Sequence, residues 1–333
     1  MDICVIGAGA IGGLLAAKLA EAGENVSVVA RGEHLKAILE SGLLLKEEGR
    51  ETTVRVRAMS RIADAERPEL VVLGVKAHQV PAVAADVASI LSPTTLVLTA
   101  QNGIPWWYFF NHGGPFEGVR LNSVDPGGVI ADHLPIESVI ASVVYPAAEI
   151  ERPGVIRHIE GYRLSLAEID GSRTDRVAAL SQVFSRAGFK SPVLSDVRTE
   201  IWTKLWGNLA FNPISALSRS TLEDICRFPE TRALAAAMMR EAQTVGEALG
   251  VRFRISIEKR IAGAEGVGAH KTSMLQDVEA GRPIEIDALL GSIIELGQLA
   301  KIATPHLDAV YAVAKLLGET LVGTASPSGL TQA

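Results

Sequence analysis

Short apolar runs alternate with longer helical patterns through the first half of the chain. Residues 3–6 and 26–29 are mostly Val and Ile and lack a sustained polar alternation, which predicts strands buried on both faces of a sheet. Residues 14–20 between them are mostly apolar over a helical length, and Gly23 follows as a helix-ending glycine. This order predicts a parallel βαβ unit of about 30 residues at the start of the chain.

The alternation continues to about residue 195. Two alternating runs about a Glu-Gly-Arg turn predict a hairpin within residues 43–58. Strands alternating with helices are typical of an α/β, doubly wound sheet of the Rossmann type, which binds ligands outside the carboxyl ends of its strands. The remaining strands are predicted at residues 69–75, 95–99, 138–145, 155–159 and 162–169, and the helices at residues 34–40, 81–91 and 173–187.

Beyond about residue 195 the pattern is helical almost throughout. Residues 229–249 carry apolar positions at helical spacing, with a proline first and a glycine just after, and residues 283–300 and 305–317 are similar. The chain of 333 residues also exceeds the size at which a single hydrophobic core usually stops growing. We therefore expect a Rossmann-type domain at residues 1–195 and an all-helical C-terminal domain at residues 196–333.

Charge and cysteine content narrow the classes of partner. The 32 Lys and Arg residues against 38 Asp and Glu residues give a net charge of −6, which argues against a nucleic-acid or anionic-membrane surface. No apolar stretch approaches the roughly 20 residues of a membrane span, and the first apolar run lacks the basic segment of a signal peptide. Cys4 and Cys226 form neither a metal-ligand spacing nor a disulfide framework. We expect a cytoplasmic protein that binds no metal, nucleic acid or membrane.

A glycine-rich turn lies directly after the first predicted strand. Its glycines have the spacing Gly-x-Gly-x-x-Gly at the turn into the first predicted helix. Glycines leave room for the backbone to approach a pyrophosphate, and the N–H groups at a helix start bind that anion. The sequence therefore predicts dinucleotide binding, with a packing turn without ligand as the alternative, by the residues Gly7, Ala8, Gly9, Ala10, Ile11 and Gly12.

Arg31 follows the second predicted strand, where Rossmann-type domains select their cofactor. An acidic residue there binds the ribose 2′-hydroxyl of NAD, whereas a basic residue accommodates the 2′-phosphate of NADP. No acid occurs between the strand and Glu33, and a guanidinium pairs bidentately with a phosphate. Arg31 therefore favours NADP, with a solvated arginine at a strand end as the alternative.

Three polar side chains recur every fourth residue in an apolar stretch of the second half. Lys204, Asn208 and Asn212 fall on nearly one face of a helix, with a drift of about 40° per step. A lysine and two amides are costly to bury among Leu, Trp and Phe unless they have partners. They are either a functional set or a surface lysine with two amides that cap turns. Pro213 predicts a kink or break after Asn212.

A second polar cluster surrounds a predicted turn near residue 281. Glu285 stands between two isoleucines at a predicted helix start, where it could bind a substrate hydroxyl or pair with a cation. Asp287 could equally be an N-terminal helix charge with no other role. The full cluster consists of Ser273, Gln276, Asp277, Glu285 and Asp287.

Five motifs occur in a fixed order along the chain. They are GAGAIG at residues 7–12, VK at residues 75–76, QNG at residues 101–103, K-x-x-x-N-x-x-x-N at residues 204–212, and SM-x-QD with EID at residues 273–287. In this order they resemble the ketopantoate reductase (2-dehydropantoate 2-reductase) family over nearly the whole chain. The resemblance implies an N-terminal Rossmann-type domain that binds NADP(H) and a helical domain that carries substrate-binding and catalytic residues.

The resemblance also implies a reaction and the residues that support it. The family reduces a 2-keto acid with NADPH in pantothenate synthesis, which places Arg31 and Lys76 near the cofactor phosphates. Asn102 is implied near both the nicotinamide and the substrate.

In the helical domain, Lys204 matches the family's catalytic lysine. It is implied to donate a proton to the keto oxygen as a hydride reaches the carbon. Asn208 and Asn212 are implied to orient the substrate's oxygens. Ser273 is implied to bind its carboxylate, and Glu285 the distal hydroxyl of ketopantoate.

The stretch at residues 104–130 departs from the family's pattern. It is longer than in most members and holds five consecutive aromatic residues at 106–110. These side chains either line a pocket or pack the loop and a subunit contact. Because a few apolar contacts change selectivity, a different, bulkier 2-keto acid is the alternative substrate. A non-catalytic NADPH-responsive binding protein is the alternative outside enzymes, and a homodimer is a family-level expectation.

Overall fold

The chain divides into two compact units, Met1–Val197 and Arg198–Ala333. The structure is a computed structural model that describes residues 1–325. The division lies two residues beyond the boundary expected from the change in sequence pattern. Within residues 1–325, none of the helices combines the length and apolarity needed to cross a membrane.

The first unit is a mixed α/β structure. Its helices are α1 (Ala10–Glu21), α2 (Gly32–Ser41), α3 (Val80–Ile90), α4 (Val129–His133) and α5 (Asp175–Arg186). Its strands are β1 (Asp2–Ile6), β2 (Asn25–Val29), β3 (Leu43–Glu47), β4 (Arg50–Val54), β5 (Arg57–Met59), β6 (Leu70–Leu73), β7 (Leu96–Thr99), β8 (Val139–Val144), β9 (Ala147–Arg152), β10 (Val155–Glu160) and β11 (Leu164–Glu168).

A seven-stranded sheet with the order β11-β8-β7-β6-β1-β2-β5 forms the centre of this unit. All of its neighbouring strands are parallel except β8 and β11. Val5 in β1 lies opposite Val28 in β2 and Val72 in β6, and all three are completely buried. These buried valines explain the apolar strand pattern, and the predicted α/β, Rossmann-type fold is confirmed.

The predicted hairpin belongs to a different sheet. β3 and β4 pair as expected, but they form a four-stranded sheet with the order β4-β3-β10-β9. β3 lies parallel to β10, more than 100 residues later in the chain, with Leu44 opposite Val155. β9 was not predicted from the sequence, because its residues are half-buried or exposed and carry no continuous apolar run.

The second unit is helical, as predicted. Its helices are α6 (Val197–Ser218), α7 (Leu222–Arg227), α8 (Pro229–Ala248), α9 (Ile257–Glu265), α10 (Ser273–Glu279), α11 (Ser292–Ala300) and α12 (Pro305–Ala325), with a π-helical turn at Asp287–Gly291 before α11.

The helix α6 does not break at Pro213. Proline leaves the carbonyl four residues earlier without its helical hydrogen bond. The helix is held instead by tertiary packing: Trp206 and Leu209 are almost completely buried, and Trp206 Nε1 donates to the carbonyl oxygen of Met239 at 2.7 Å. The helix therefore extends to Ser218 and carries the whole lysine and asparagine pattern.

Candidate functional site

The glycine loop between β1 and α1 allows very close backbone packing. Gly7 has a φ of +94°, and a Cβ on it would lie 2.7 Å from Val75 Cγ1. A Cβ on Gly12 would overlap the carbonyl oxygen of Gly7. These two glycines are therefore required by backbone conformation and by the approach of α1 to the strands.

Gly9 is different because the protein itself gives no reason for a glycine there. Its φ of −65° is open to any residue, and a Cβ on it would meet no atom within 4 Å. Gly9 precedes the first residue of α1, where the first N–H groups of a helix have no partner within the helix. An open face in front of such N–H groups fits a bound pyrophosphate.

The loop residues divide into two roles. The N–H groups of Gly7 and Ala8 donate to the carbonyl oxygen of Val29 at 3.0 and 3.2 Å, which ties the loop to β2. The N–H groups of Gly9 and of the first turn of α1, which includes Ala10, Ile11 and Gly12, are the donors placed to meet an anion.

Arg31, Lys76 and Asn102 lie beyond the carboxyl ends of strands of the same sheet. Arg31 follows β2, and its side chain is exposed. Lys76 follows β6, and Asn102 follows β7. Because β1, β6 and β7 are neighbours, the loops after them meet at one edge of the sheet.

Gln101 joins two of these loops by hydrogen bonds, a role that was not predicted from the sequence. Its Nε2 donates to the carbonyl oxygens of Leu73 and Val75, at 2.6 and 3.0 Å. The loop that carries Asn102 is thereby tied to the loop that carries Lys76. The only sequence signal was the QNG motif itself.

The aromatic stretch after this loop packs into the protein interior. The side chains of residues 106–109 are buried, and Trp107 Nε1 donates to Thr99 Oγ1, at the end of β7, at 3.1 Å. Of the two interpretations, packing of the segment fits these buried side chains better than the lining of an open pocket.

In the second unit, α6 presents the predicted lysine and asparagines. Lys204 and Asn208 are half-buried, and Asn212 is buried, with 6% of its surface exposed. Burial lowers the pKa of the Lys204 ammonium from its ordinary 10.5 to about 8. The negative charge of the Glu285 carboxylate opposes part of this fall in the pKa.

The second polar cluster separates into structural residues and candidate binding residues. Arg282 Nε donates to Asp277 Oδ1 at 3.0 Å, so Asp277 stabilises the turn after α10. Asp287 accepts hydrogen bonds from two residues of α12, so it has more than the helix-charge role considered above. Ser273 is exposed at the start of α10.

The candidate residues of this unit carry an ammonium group, two amides, a hydroxyl and a carboxylate. Within residues 1–325, no group of three His, Cys, Asp or Glu side chains lies close enough together to hold a metal ion. A lysine can both donate a proton and stabilise negative charge on an oxygen.

Comparison with known proteins identifies the family. The family description "Ketopantoate reductase PanE/ApbA" matches residues 3–105, and "Ketopantoate reductase PanE/ApbA C terminal" matches residues 196–318. The chain belongs to the ketopantoate reductase family. Its motif resemblance is thus confirmed, and the five aromatic residues 106–110 lie between the two matched regions.

Individual members of the ketopantoate reductase family match nearly the whole chain. The 2-dehydropantoate 2-reductase of Mesorhizobium japonicum is 54% identical over 318 residues, 95% of this chain and 98% of the relative. A crystal structure from Ralstonia solanacearum MolK2 matches with a TM-score of 0.92 and 40% identity, over 96% of this chain and 98% of that chain. The PanE/ApbA family ketopantoate reductase of Ralstonia eutropha JMP134 matches with a TM-score of 0.83 and 27% identity, over 97% and 100%.

Proposed function

We propose that the protein reduces 2-dehydropantoate (ketopantoate) to pantoate with NADPH, as a step of pantothenate biosynthesis. The observation that carries the proposal is Lys204, half-buried on α6, with a pKa that burial lowers and that the Glu285 carboxylate partly restores. The name of the Mesorhizobium japonicum relative, 54% identical, supplies the substrate.

The first unit would hold the cofactor. The open face at Gly9 and the first N–H groups of α1 fit its pyrophosphate, and the exposed Arg31 guanidinium fits a ribose 2′-phosphate. Lys76 and Asn102, beyond β6 and β7, would contact its phosphates and the nicotinamide end respectively. When bound, NADPH supplies a hydride. We assign residues 1–195 this role and residues 196–333 the binding of substrate and the proton transfer.

The second unit would handle the substrate. With a pKa of about 8, Lys204 is mostly charged at neutral pH, yet it releases its proton more readily than an ordinary lysine. Its charge stabilises the oxygen that becomes negative during reduction. The amide N–H groups of Asn208 and Asn212 would orient substrate oxygens, the Ser273 hydroxyl would bind the carboxylate, and the Glu285 carboxylate would accept from the distal hydroxyl. A homodimer stays a prediction.

The proposal is tested by following NADPH oxidation with purified protein. The panel contains ketopantoate, small 2-keto acids and bulkier aromatic 2-keto acids, each repeated with NADH. We expect selective turnover of ketopantoate and a preference for NADPH. Turnover of only another keto acid would replace the substrate, whereas binding of NADPH without any turnover would favour a non-catalytic role.

Cofactor choice is tested at Arg31. We expect Arg31→Ala to raise the Kd for NADPH by about 10- to 100-fold, the loss of a charge-assisted phosphate contact, with little change in the Kd for NADH. The control is Arg67→Ala, since Arg67 is an exposed arginine just before β6, at the opposite edge of the sheet. Equal weakening of both cofactors by Arg31→Ala would contradict 2′-phosphate recognition.

A further inference from the structure

Glu285 immediately precedes an unusual helix start. In the π-helical turn Asp287–Gly291, the Ser292 N–H donates to the carbonyl oxygen of Asp287, five residues back, instead of four. Such turns are rare and occur often at functional sites. Because the turn is less regular than an α-helix, its direction depends on the tertiary contacts that hold it.

α12 holds this helix start through the Asp287 carboxylate. Tyr311 Oη donates to Asp287 Oδ1 at 2.7 Å, and Lys315 Nζ donates to Asp287 Oδ2, also at 2.7 Å. Both carboxylate oxygens are therefore engaged. Tyr311 and Lys315 are four residues apart on α12, so they project from the same face.

Two close contacts extend the attachment on either side of Asp287. A Cβ on Gly291 would lie 3.3 Å from Tyr311 Cε2, so the tyrosine ring packs on that glycine. A Cβ on Gly318 of α12 would lie 3.2 Å from Ile284 Cγ1. Positions 284, 287 and 291 thus all contact α12, and Glu285 lies between the first two of them.

The place of Glu285 matters because its carboxylate acts on Lys204. The interaction between two charges falls with the distance between them. The carboxylate raises the pKa of Lys204 against the effect of burial. If the helix start shifted relative to α12, the distance between the Glu285 carboxylate and the Lys204 ammonium would change. Their interaction would then change although neither residue had been substituted.

We propose that Asp287, Tyr311 and Lys315 are positioning residues for Glu285. By binding the helix start to α12, they set where the Glu285 carboxylate stands relative to Lys204 and to the distal hydroxyl of the keto acid. The part about the keto acid rests on the proposed function, whereas the part about Lys204 does not. The competing explanation is that the three residues only anchor α12 and contribute to stability.

A double-mutant cycle separates these explanations. Tyr311→Phe and Asp287→Asn are each combined with Glu285→Gln, and kcat/KM is measured for ketopantoate and for the same 2-keto acid without its distal hydroxyl. We expect each single variant to lower the preference for ketopantoate by about 10-fold, the effect of one misplaced hydrogen bond, and to add no loss once Glu285→Gln is present. An unchanged preference, or losses that simply add, would overturn the proposal.

Two features of the variants keep the test decisive. Tyr311→Phe removes one oxygen atom and no charge. The double-mutant cycle can therefore be completed with this variant if Asp287→Asn fails to fold. The matched control is Tyr162→Phe, which removes a hydroxyl that donates to the Glu48 carboxylate at 2.8 Å in the first unit. It should leave the preference for ketopantoate unchanged.

A second readout does not depend on turnover. The lysines are methylated with 13C-formaldehyde, the Lys204 signal is assigned by its loss in Lys204→Arg, and its titration is followed by NMR. We expect Tyr311→Phe to move the pKa of Lys204 below that of the wild type by several tenths of a pH unit, because a displaced Glu285 supports the ammonium less. An unchanged titration in folded Tyr311→Phe would overturn the proposal. A shifted titration in a protein that turns over no ketopantoate would leave the positioning role standing and reject the proposed function.

Discussion

Lys204→Ala is expected to lower kcat for ketopantoate by about 10²- to 10⁴-fold while the Kd for NADPH stays within about twofold of the wild type. The variant removes the proton donor and the positive charge that stabilises the developing oxyanion. NADPH affinity is retained because the residues assigned to the cofactor lie in the first unit. Steady-state kinetics and a fluorescence titration of NADPH measure the two quantities.

The pH profile provides a second signature of the same lysine. The charged form of Lys204 is the proton donor, and its pKa is about 8. Activity should therefore be present below about pH 8 and fall as the pH rises through that value. An ordinary exposed lysine would keep its proton to about pH 10. The pH at which the activity falls therefore reports the burial of Lys204.

Two variants serve as controls for the lysine. Lys204→Arg keeps a charge but cannot release a proton at these pH values, so it should remain strongly impaired and lose the limb near pH 8. Lys259→Ala changes an exposed lysine on α9 and should leave kcat unchanged. Normal turnover by Lys204→Ala would contradict the assignment of Lys204 as the proton donor.

Gly9→Val is expected to weaken NADPH binding by about 100-fold or more without loss of thermal stability. The protein places no atom within 4 Å of a Cβ at this position, and the backbone conformation suits any residue. The added Cβ would therefore enter open space, which is the space assigned to the pyrophosphate. Isothermal titration gives the affinity, and calorimetric unfolding gives the Tm.

Gly12→Ala is the contrasting variant. Its Cβ would overlap the carbonyl oxygen of Gly7, so the free energy of unfolding should fall by about 1–3 kcal/mol through overpacking. Gly9 and Gly12, two glycines of one motif, thus differ: the first is expected to support cofactor binding and the second the stability of the fold. NADPH binding by Gly9→Val at wild-type strength would indicate that the loop is a packing turn without a ligand.

The sequence by itself determined those features whose pattern lies within a short stretch of the chain. The apolar strands, the glycine turn and the four-residue spacing of Lys204, Asn208 and Asn212 are visible within a few turns of chain, because helix and strand periods act over that range. The motif order was enough to indicate the family, and the helical second half followed from its hydrophobic pattern. Pro213 shows the limit of such local rules, since the packing of α6 outweighs the local preference for a break.

The tertiary structure decided what depends on residues distant in the chain. Only strand pairing assigned the hairpin at β3 and β4 to a second sheet, because β10, its parallel partner, comes more than 100 residues later. The attachment of Asp287 to α12 joins residues 24 and 28 positions apart. The pKa of Lys204 depends on its burial and on the Glu285 carboxylate, which lies about 80 residues later in the chain. Periodicity records which face of an element is buried, but it does not specify which distant residue covers that face.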